Sequence, residues 1–457
     1  MRRAMLTPGM DRLRTAGPFA LIIAMMMVWL WNSVNSFRPL TAPITLSDEN
    51  SGGAIRQLIF LATAGLSGLM LCMTRSLPEF LYFRLREAAV GALLIGSVVW
   101  STDKTLTIKR SFIFVCGYLA ISLAVHMSDR PVRLMQRTLT YFCGAVAWIS
   151  LLGWFGLPRN CVENPARPGL AGVSNHPNTL APFLVLGFLI SLGLVEPNKR
   201  RRQVLRTLQA GMAIGTLLTG SMTSLMMIIV GCGIFFFLAT VDYLRGLVQA
   251  GAGIVVILVA TIGLKNLMEM TLGAMGRDTS LSGRDELWAG VWNEAVKKPF
   301  FGHGYGAFWY EGRGREIVVT WNPRQAHNAM LDVFVELGIL GVGVALLWFL
   351  GTLYSGWLRH ATRPGTPQRY AVSGFTTVVL TVLFVFGNSQ SFFFKMDSFP
   401  FFCSFWCVVL LANSDYNHIS AEFELPPEGD GFRSCRLPSA PHPAAASASA
   451  HPTPLPR

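Results

Sequence analysis

Apolar residues run along this chain in long blocks broken by short polar segments, the pattern of helices solvated by lipid. Twelve blocks approach the roughly 17–25 residues that a helix needs to cross a bilayer. They cover about 18–37, 54–73, 88–100, 111–127, 138–157, 178–195, 207–220, 223–241, 249–264, 329–352, 370–387 and 399–413. The third is short, and extends either back over Glu87 or forward past Trp100. The seventh and eighth are joined by only Ser221-Met222, a hairpin with almost no loop. The first follows Arg2, Arg3, Arg12 and Arg14, as a signal peptide would, but ends Trp29-Leu30-Trp31-Asn32 with no small-residue cleavage site. It therefore reads as an uncleaved helix. The expected fold is an all-α polytopic membrane protein of about twelve transmembrane helices. Four regions follow: a membrane bundle of about nine spans (1–264), one large polar loop (265–328), C-terminal membrane helices (329–413) and a tail (414–457). From Pro426 the tail is rich in Pro, Ala and Ser and is expected to be disordered.

Composition supports the bilayer. Charged residues make up 14% of the chain and hydrophobic ones 52%, with mean hydropathy +0.44; soluble domains carry about 25% charged residues. The net charge of +13 would suggest nucleic acid in a soluble chain. Here its distribution gives orientation instead. With the N-terminus inside, 22 of the 38 Lys and Arg fall in cytoplasmic segments, and only 7 in the short outer ones. The long loop is set aside because such loops cross regardless of charge. Both termini are therefore expected in the cytoplasm and the long loop outside, with no nucleic-acid partner. That loop carries eight basic and seven acidic residues, so bulk charge is not what draws an anion to it. Cys72, Cys116, Cys143, Cys232, Cys403 and Cys407 lie in apolar runs and read as small hydrophobes. No zinc or haem spacing appears, so no metal and no cofactor is expected. The spans are almost free of charge apart from Arg56, Glu336 and the boundary residue Asp332, and no internal repeat stands out. Both features weigh against a transporter.

Polar chemistry concentrates in the loop. Ser282-Gly283-Arg284-Asp285 precedes an apolar-periodic run, a capping-box signature, and Lys297, Lys298 and Pro299 are stop signals. A helix over 283–298 is predicted, with Leu287, Trp288, Val291, Trp292 and Ala295 on one stripe, lying along the membrane interface. It places Arg284 at a helix N-terminus, where unpaired N–H groups and the dipole favour an anion. In Phe301-Gly302-His303-Gly304-Tyr305-Gly306 the glycines mark tight turns. The rings, Tyr305 among them, serve either to stack on sugars or simply to pack the loop. At the loop's end, His327-Asn328 is held by the start of a rigid span. Upstream, His176-Pro177-Asn178-Thr179 opens another span; Asn178 or Thr179 suits a helix cap better than His176 suits a sugar contact.

Three stretches carry a family resemblance. Ser282-Gly283-Arg284-Asp285-Glu286-Leu287-Trp288, then Pro299 to Phe308, then His327-Asn328 through Asp332, Glu336 and Gly341 resemble the bacterial O-antigen polymerase and ligase superfamily, nearest its exopolysaccharide-polymerase branch. The resemblance implies a metal-independent glycosyltransferase of the bacterial inner membrane. Its substrate would be a polyprenyl-pyrophosphate-linked oligosaccharide, and its expected partners a chain-length regulator and export proteins. Arg284 matches the family's loop arginine and His327 the histidine of its His-Asn pair. These two are the expected catalytic residues, with Arg324, Arg277, Asn328, Tyr305 and His176 as substrate-binding candidates. The chain departs from the family at Gly220-Ser221-Met222-Thr223-Ser224, where many members place an arginine. Ligation to a lipid A core uses the same chemistry with another acceptor, and export of a lipid-linked saccharide is the non-enzymatic alternative.

Overall fold

The computed structural model describes residues 53–74, 85–128, 130–164, 167–174, 176–194, 196–240, 284–310, 312–318, 323–362, 374–396 and 398–412. Its elements in chain order are α1 (Gly53–Thr74), α2 (Leu85–Gly96, continuing as a 3-10 turn over Ser97–Val99), α3 (Lys104–Met127), α4 (Pro131–Gly156) and α5 (Arg159–Val162). A hairpin of β1 (Glu163–Asn164) and β2 (Arg167–Leu170) follows, then α6 (Pro177–Leu192), α7 (Lys199–Leu218), α8 (Met222–Thr240), α9 (Arg284–Ala295) and α10 (Arg313–Ile317). The chain continues through α11 (Ala329–Thr362), α12 (Phe375–Phe386) and α13 (Phe399–Ala412). The small antiparallel β-hairpin departs from the all-α expectation; it pairs Glu163 with Leu170 and Asn164 with Arg167. Ten of the twelve predicted spans coincide with helices. The spans at 18–37 and 249–264, and the tail, lie outside the described residues.

Among the described residues, three helices are long and apolar enough to cross a membrane: Lys104–Met127, Pro131–Gly156 and Ala329–Trp357. Shorter apolar helices pack around them, and the protein is a helical membrane protein. Several helices begin earlier than hydropathy alone places them. α7 starts in the basic cluster because Asn198 caps it, its Oδ1 accepting from Arg200 N and Arg201 N at 2.9 and 3.3 Å. α4 starts at Pro131, whose missing N–H costs nothing at a helix N-terminus. Its Arg137 forks onto Glu196 at 2.9 and 3.1 Å, tying together two segments expected on the cytoplasmic side.

α6 and α13 occupy the middle of the bundle. α13 is buried on every face, from Phe401 and Phe405 to Val408 and Leu411. Its rings interlock with Phe114 of α3 and Trp348 of α11 at centroid distances near 6 Å. Hydroxyls inside the bundle turn back onto their own helix, as Thr381 does to Thr377 O at 2.8 Å and Thr216 to Met212 O at 2.8 Å. Without water, that is how a polar side chain is satisfied. Outward faces carry the opposite signature: Leu152, Phe155, Leu217, Phe236 and Leu347 are all more than 60% exposed, as lipid-facing residues would be.

Candidate functional site

The segments expected outside the membrane converge at one end of the bundle, and α11 organises them. This helix is broken at Gly338, with φ 65° and ψ −163°, a conformation essentially restricted to glycine. The break frees backbone groups that lipid cannot satisfy, and residues 299–304 take them up. Ile339 N and Leu340 N donate to Pro299 O (2.8 Å) and Phe300 O (3.3 Å). Val335 O and Glu336 O accept from His303 N (3.0 Å) and Gly304 N (2.8 Å). A Cβ on Gly338 would come within 2.3 Å of Phe300 C, and one on Gly302 within 2.4 Å of Glu336 C. The glycine-rich motif is thus a backbone splint for a broken membrane helix.

That splint decides the role of Tyr305. Sequence alone left its ring either for sugar stacking or for packing; the structure buries it at 3% exposure. Its backbone N–H donates to Ser97 Oγ at 3.1 Å, and its hydroxyl to the Phe394 carbonyl. It ties the loop to α2 and to the segment before α13, and presents no face to a substrate. His303 is likewise structural in setting: a ring nitrogen lies 3.3 Å from Glu294 O, and burial pushes its pKa down.

Below the splint lie the two carboxylates of α11. Asp332 is fully engaged: Oδ1 accepts from Trp309 Nε1 and Ala326 N, each at 2.9 Å, and Oδ2 pairs with Lys395 Nζ at 2.9 Å. Glu336 accepts from Gly306 N through Oε2 at 3.0 Å, and its Oε1 is buried with no hydrogen-bond partner among the described residues. Lys395 and Arg110 supply the nearby positive charge. The sequence drew attention to both carboxylates but not to Lys395, which sits alone among aromatics in Phe392-Phe393-Phe394-Lys395-Met396. An isolated cation in an apolar run was the available signal.

Asp332 positions the residue just ahead of the helix. By holding Ala326 N it fixes the chain at His327, whose backbone is left-handed with φ 52°. Asn328 then caps α11, its Oδ1 accepting from Met330 N and Leu331 N at 3.1 Å each, while its own N–H donates to Ser391 Oγ at 3.1 Å. Capping occupies the Asn328 carbonyl oxygen that a substrate would otherwise use.

α9 delivers Arg284 to the same place. Leu287, Val291 and Ala295 are fully buried against Phe308, Trp309, Val318, Ala326 and Val335. Trp288 Nε1 donates to Ala326 O at 2.8 Å, next to His327. The stripe therefore faces protein, and even Trp292, 54% exposed, packs on the Phe334 ring of α11 at a centroid distance of 5.4 Å. The predicted interfacial helix also acts as a clamp, because its apolar residues find partners in the loop and on α11. Arg313 locks the far side, bonded to Glu294 at 2.8 Å and paired with Glu316, over the Phe308 ring.

Arg284 and His327, 43 positions apart in sequence, are thus brought into electrostatic contact. Burial first, and the Arg284 charge second, push the His327 pKa down to about 4. Lys395 acts in the same direction, while Asp332 and Gln390 oppose it. At neutral pH the imidazole is uncharged. Beside the pair, an apolar groove of about 690 Å³ runs between α9 and α11, lined by Trp288, Trp292, Asn328, Leu331, Phe334 and Val342. A second apolar hollow of about 410 Å³, lined by Phe300, Phe301 and Leu347, shares Ile339 with it and continues along α11.

The remaining candidates are scattered. Arg324 is exposed beside the site, and Arg277 lies outside the described residues. His176 is itself the cap of α6, its Nδ1 accepting from Asn178 N at 3.0 Å, so the cap falls on the histidine rather than on Asn178 or Thr179.

Residues 208–347, which contain both Arg284 and His327, match a family model described as O-Antigen ligase. The exopolysaccharide production protein ExoQ of Rhizobium meliloti (strain 1021) is 31% identical over 101 residues, which cover 20% of this chain and 23% of that protein. Both matches bear out the resemblance read from the sequence, to the superfamily and to its exopolysaccharide branch.

Proposed function

We propose that the protein polymerises saccharide repeat units carried on polyprenyl pyrophosphate, building an exopolysaccharide at the periplasmic face of the inner membrane. The observation that carries the proposal is the pairing of Arg284 and His327 beside an apolar groove that runs along a membrane helix. The groove suits a polyprenyl chain. Arg284, at the N-terminal end of α9, suits the pyrophosphate, which an always-charged and bidentate donor stabilises best as it leaves. His327 is uncharged at pH 7 and accepts the proton of an acceptor hydroxyl.

In the proposed step the acceptor oxygen attacks the anomeric carbon of the donor sugar, and its proton passes to His327. The bond from that carbon to the pyrophosphate oxygen breaks, and polyprenyl pyrophosphate departs with the electron pair. A bound pyrophosphate brings negative charge close to Arg284, which offsets the main electrostatic force lowering the His327 pKa. Substrate binding therefore makes the histidine a stronger base just when it is needed. The scheme calls on no metal or other cofactor. A chain-length regulator and export proteins are the partners such a polymerase would work with. The exopolysaccharide function named for the Rhizobium relative favours polymerisation over ligation to a lipid A core.

The test is a deletion strain complemented with wild type, Arg284→Ala or His327→Ala. Polymer is expected only with wild type, single lipid-linked repeat units accumulating at the periplasmic face otherwise. Full rescue by both stably expressed variants would overturn the assignment. Repeat units trapped at the cytoplasmic face would indicate export, and polymer made normally but not joined to lipid A core would indicate ligation.

A further inference from the structure

His327 stands between two unlike spaces. On one side lies the apolar groove that begins at Asn328. On the other is a cavity of about 290 Å³, bounded by the start of α6, by Gln325, by residues 390–395 and by residues 398–400. Its walls carry amides and hydroxyls from Asn178, Thr179, Gln325, Gln390, Ser391 and Ser398. Between these polar groups lie the rings of Phe183, Phe392 and Phe399. The volume sits at the small end of ligand sites, which run to about 300–1,000 Å³, and suits a single sugar residue. The one charged side chain in the lining, Lys395, is paired with Asp332 at 2.9 Å. Amide donors and acceptors beside hydroxyls match the hydroxyl-bearing edge of a sugar ring. They do not match a pyrophosphate.

The histidine is wired to this second space. Gln325 Nε2 lies 3.4 Å from both His327 Nδ1 and Gln390 Oε1, and Gln390 also hydrogen-bonds the imidazole. Two residues of the cavity wall therefore hold the ring of the proposed base.

We propose that this cavity between α6, Gln325 and residues 390–395 and 398–400 binds the terminal sugar of the acceptor, separately from the donor groove across His327. The inference rests on the transfer reaction proposed above and adds where the acceptor sits and what it is recognised by. Gln325 and Gln390 are positioning residues: they orient His327 toward the acceptor hydroxyl. The amide of Asn178 holds the sugar itself. Because the one charged side chain lining this space among the described residues is already paired, recognition is of neutral carbohydrate and needs neither the lipid nor the pyrophosphate.

The experiment uses the full chain in nanodiscs, a polyprenyl-pyrophosphate-linked repeat unit as donor, and the free, lipid-less repeat-unit oligosaccharide as acceptor. Wild type is expected to elongate the free oligosaccharide. Asn178→Ala, which removes an amide and opens space, is expected to raise the acceptor KM about tenfold with donor KM and kcat unchanged, the size of one or two lost hydrogen bonds. Asn178→Phe, which fills the cavity, is expected to abolish use of the free acceptor while the protein still binds donor. Donor binding by the variant, measured in the same nanodiscs, separates this result from misfolding. An unchanged acceptor KM in Asn178→Ala, or a rise in donor KM instead, overturns the acceptor site while leaving the transfer reaction standing. If wild type transfers to no saccharide at all, from a donor it binds, the transfer reaction itself falls.

Discussion

The two spaces on either side of His327 are built from opposite materials; Asn328 lines one and Gln325 the other. The groove on the α9 side is lined by Trp288, Trp292, Leu331, Phe334 and Val342, with no charged side chain among its described lining residues. The cavity on the α6 side is lined by amides, hydroxyls and phenyl rings, and the one cation among its described lining residues is already paired. A substrate with a lipid tail and a pyrophosphate fits the first, and a bare carbohydrate fits the second. A transferase that joins two such molecules needs this asymmetry, and it needs its base at the seam.

The comparison is broken most severely by removing the seam. Arg284→Ala and His327→Ala are each expected to lower transfer by about 10²–10⁴-fold, the range for losing a charge-stabilising group or a general base, measured as polymer formed per protein in nanodiscs. Arg284→Lys is expected to recover only part of that loss, since a point charge replaces a fork.

The next largest effects concern the frame both spaces share. Gly338→Ala forces a Cβ into Phe300 at a backbone angle that alanine does not tolerate. It is expected to cost about 2–4 kcal/mol, read as a lower unfolding midpoint in detergent. Lys395→Ala leaves the buried Asp332 carboxylate without its cation. A loss of about 3–5 kcal/mol is expected, with the double variant Asp332→Asn/Lys395→Met regaining much of it. If the double variant is no better than Lys395→Ala alone, the ion pair is not what holds the segment.

A smaller and more diagnostic effect is electrostatic. With a free-protein His327 pKa of about 4, kcat/KM for the donor is expected to stay level down to about pH 5 and fall below it. The kcat profile is expected to fall at higher pH, because bound pyrophosphate offsets the Arg284 charge and raises the pKa of the complex. Arg284→Gln removes a positive neighbour, so protonation becomes easier and the pKa moves up toward the ordinary 6.5, a change that histidine-ring NMR reads directly. Smallest of all, Trp288→Phe removes the indole bond to Ala326 O. A few-fold drop in kcat with little change in stability is expected, as α9 loosens over the groove.

Much of this arrangement was legible in the chain. The Arg284 helix announced itself through its spacing and stop signals, and observed Arg284–Ala295 lies inside the predicted 283–298. His327-Asn328 stood out because a polar pair abuts a long apolar run. What stayed hidden was whatever depends on distant backbone. Glu336-Leu337-Gly338-Ile339 reads as uninterrupted membrane helix, because the hydrogen bonds that replace the helical ones come from Pro299 and Phe300, nearly forty positions earlier. The same splint buries Tyr305, which local sequence leaves free to stack on a sugar. Lys395 was invisible as a partner because its carboxylate lies 63 residues away. The amphipathic stripe of α9 was read correctly as a stripe, but most of it packs on the loop and on α11. Periodicity tells which face is apolar and not what covers it.

The central claim is that Arg284 and His327 act as one reaction centre serving both spaces, and a double-mutant cycle on single-turnover transfer tests it most directly. Groups that work as a unit are non-additive. The account predicts that Arg284→Ala/His327→Ala is scarcely slower than the more damaged single variant. A double variant whose loss equals the product of the two single losses would show two independent sites and contradict it.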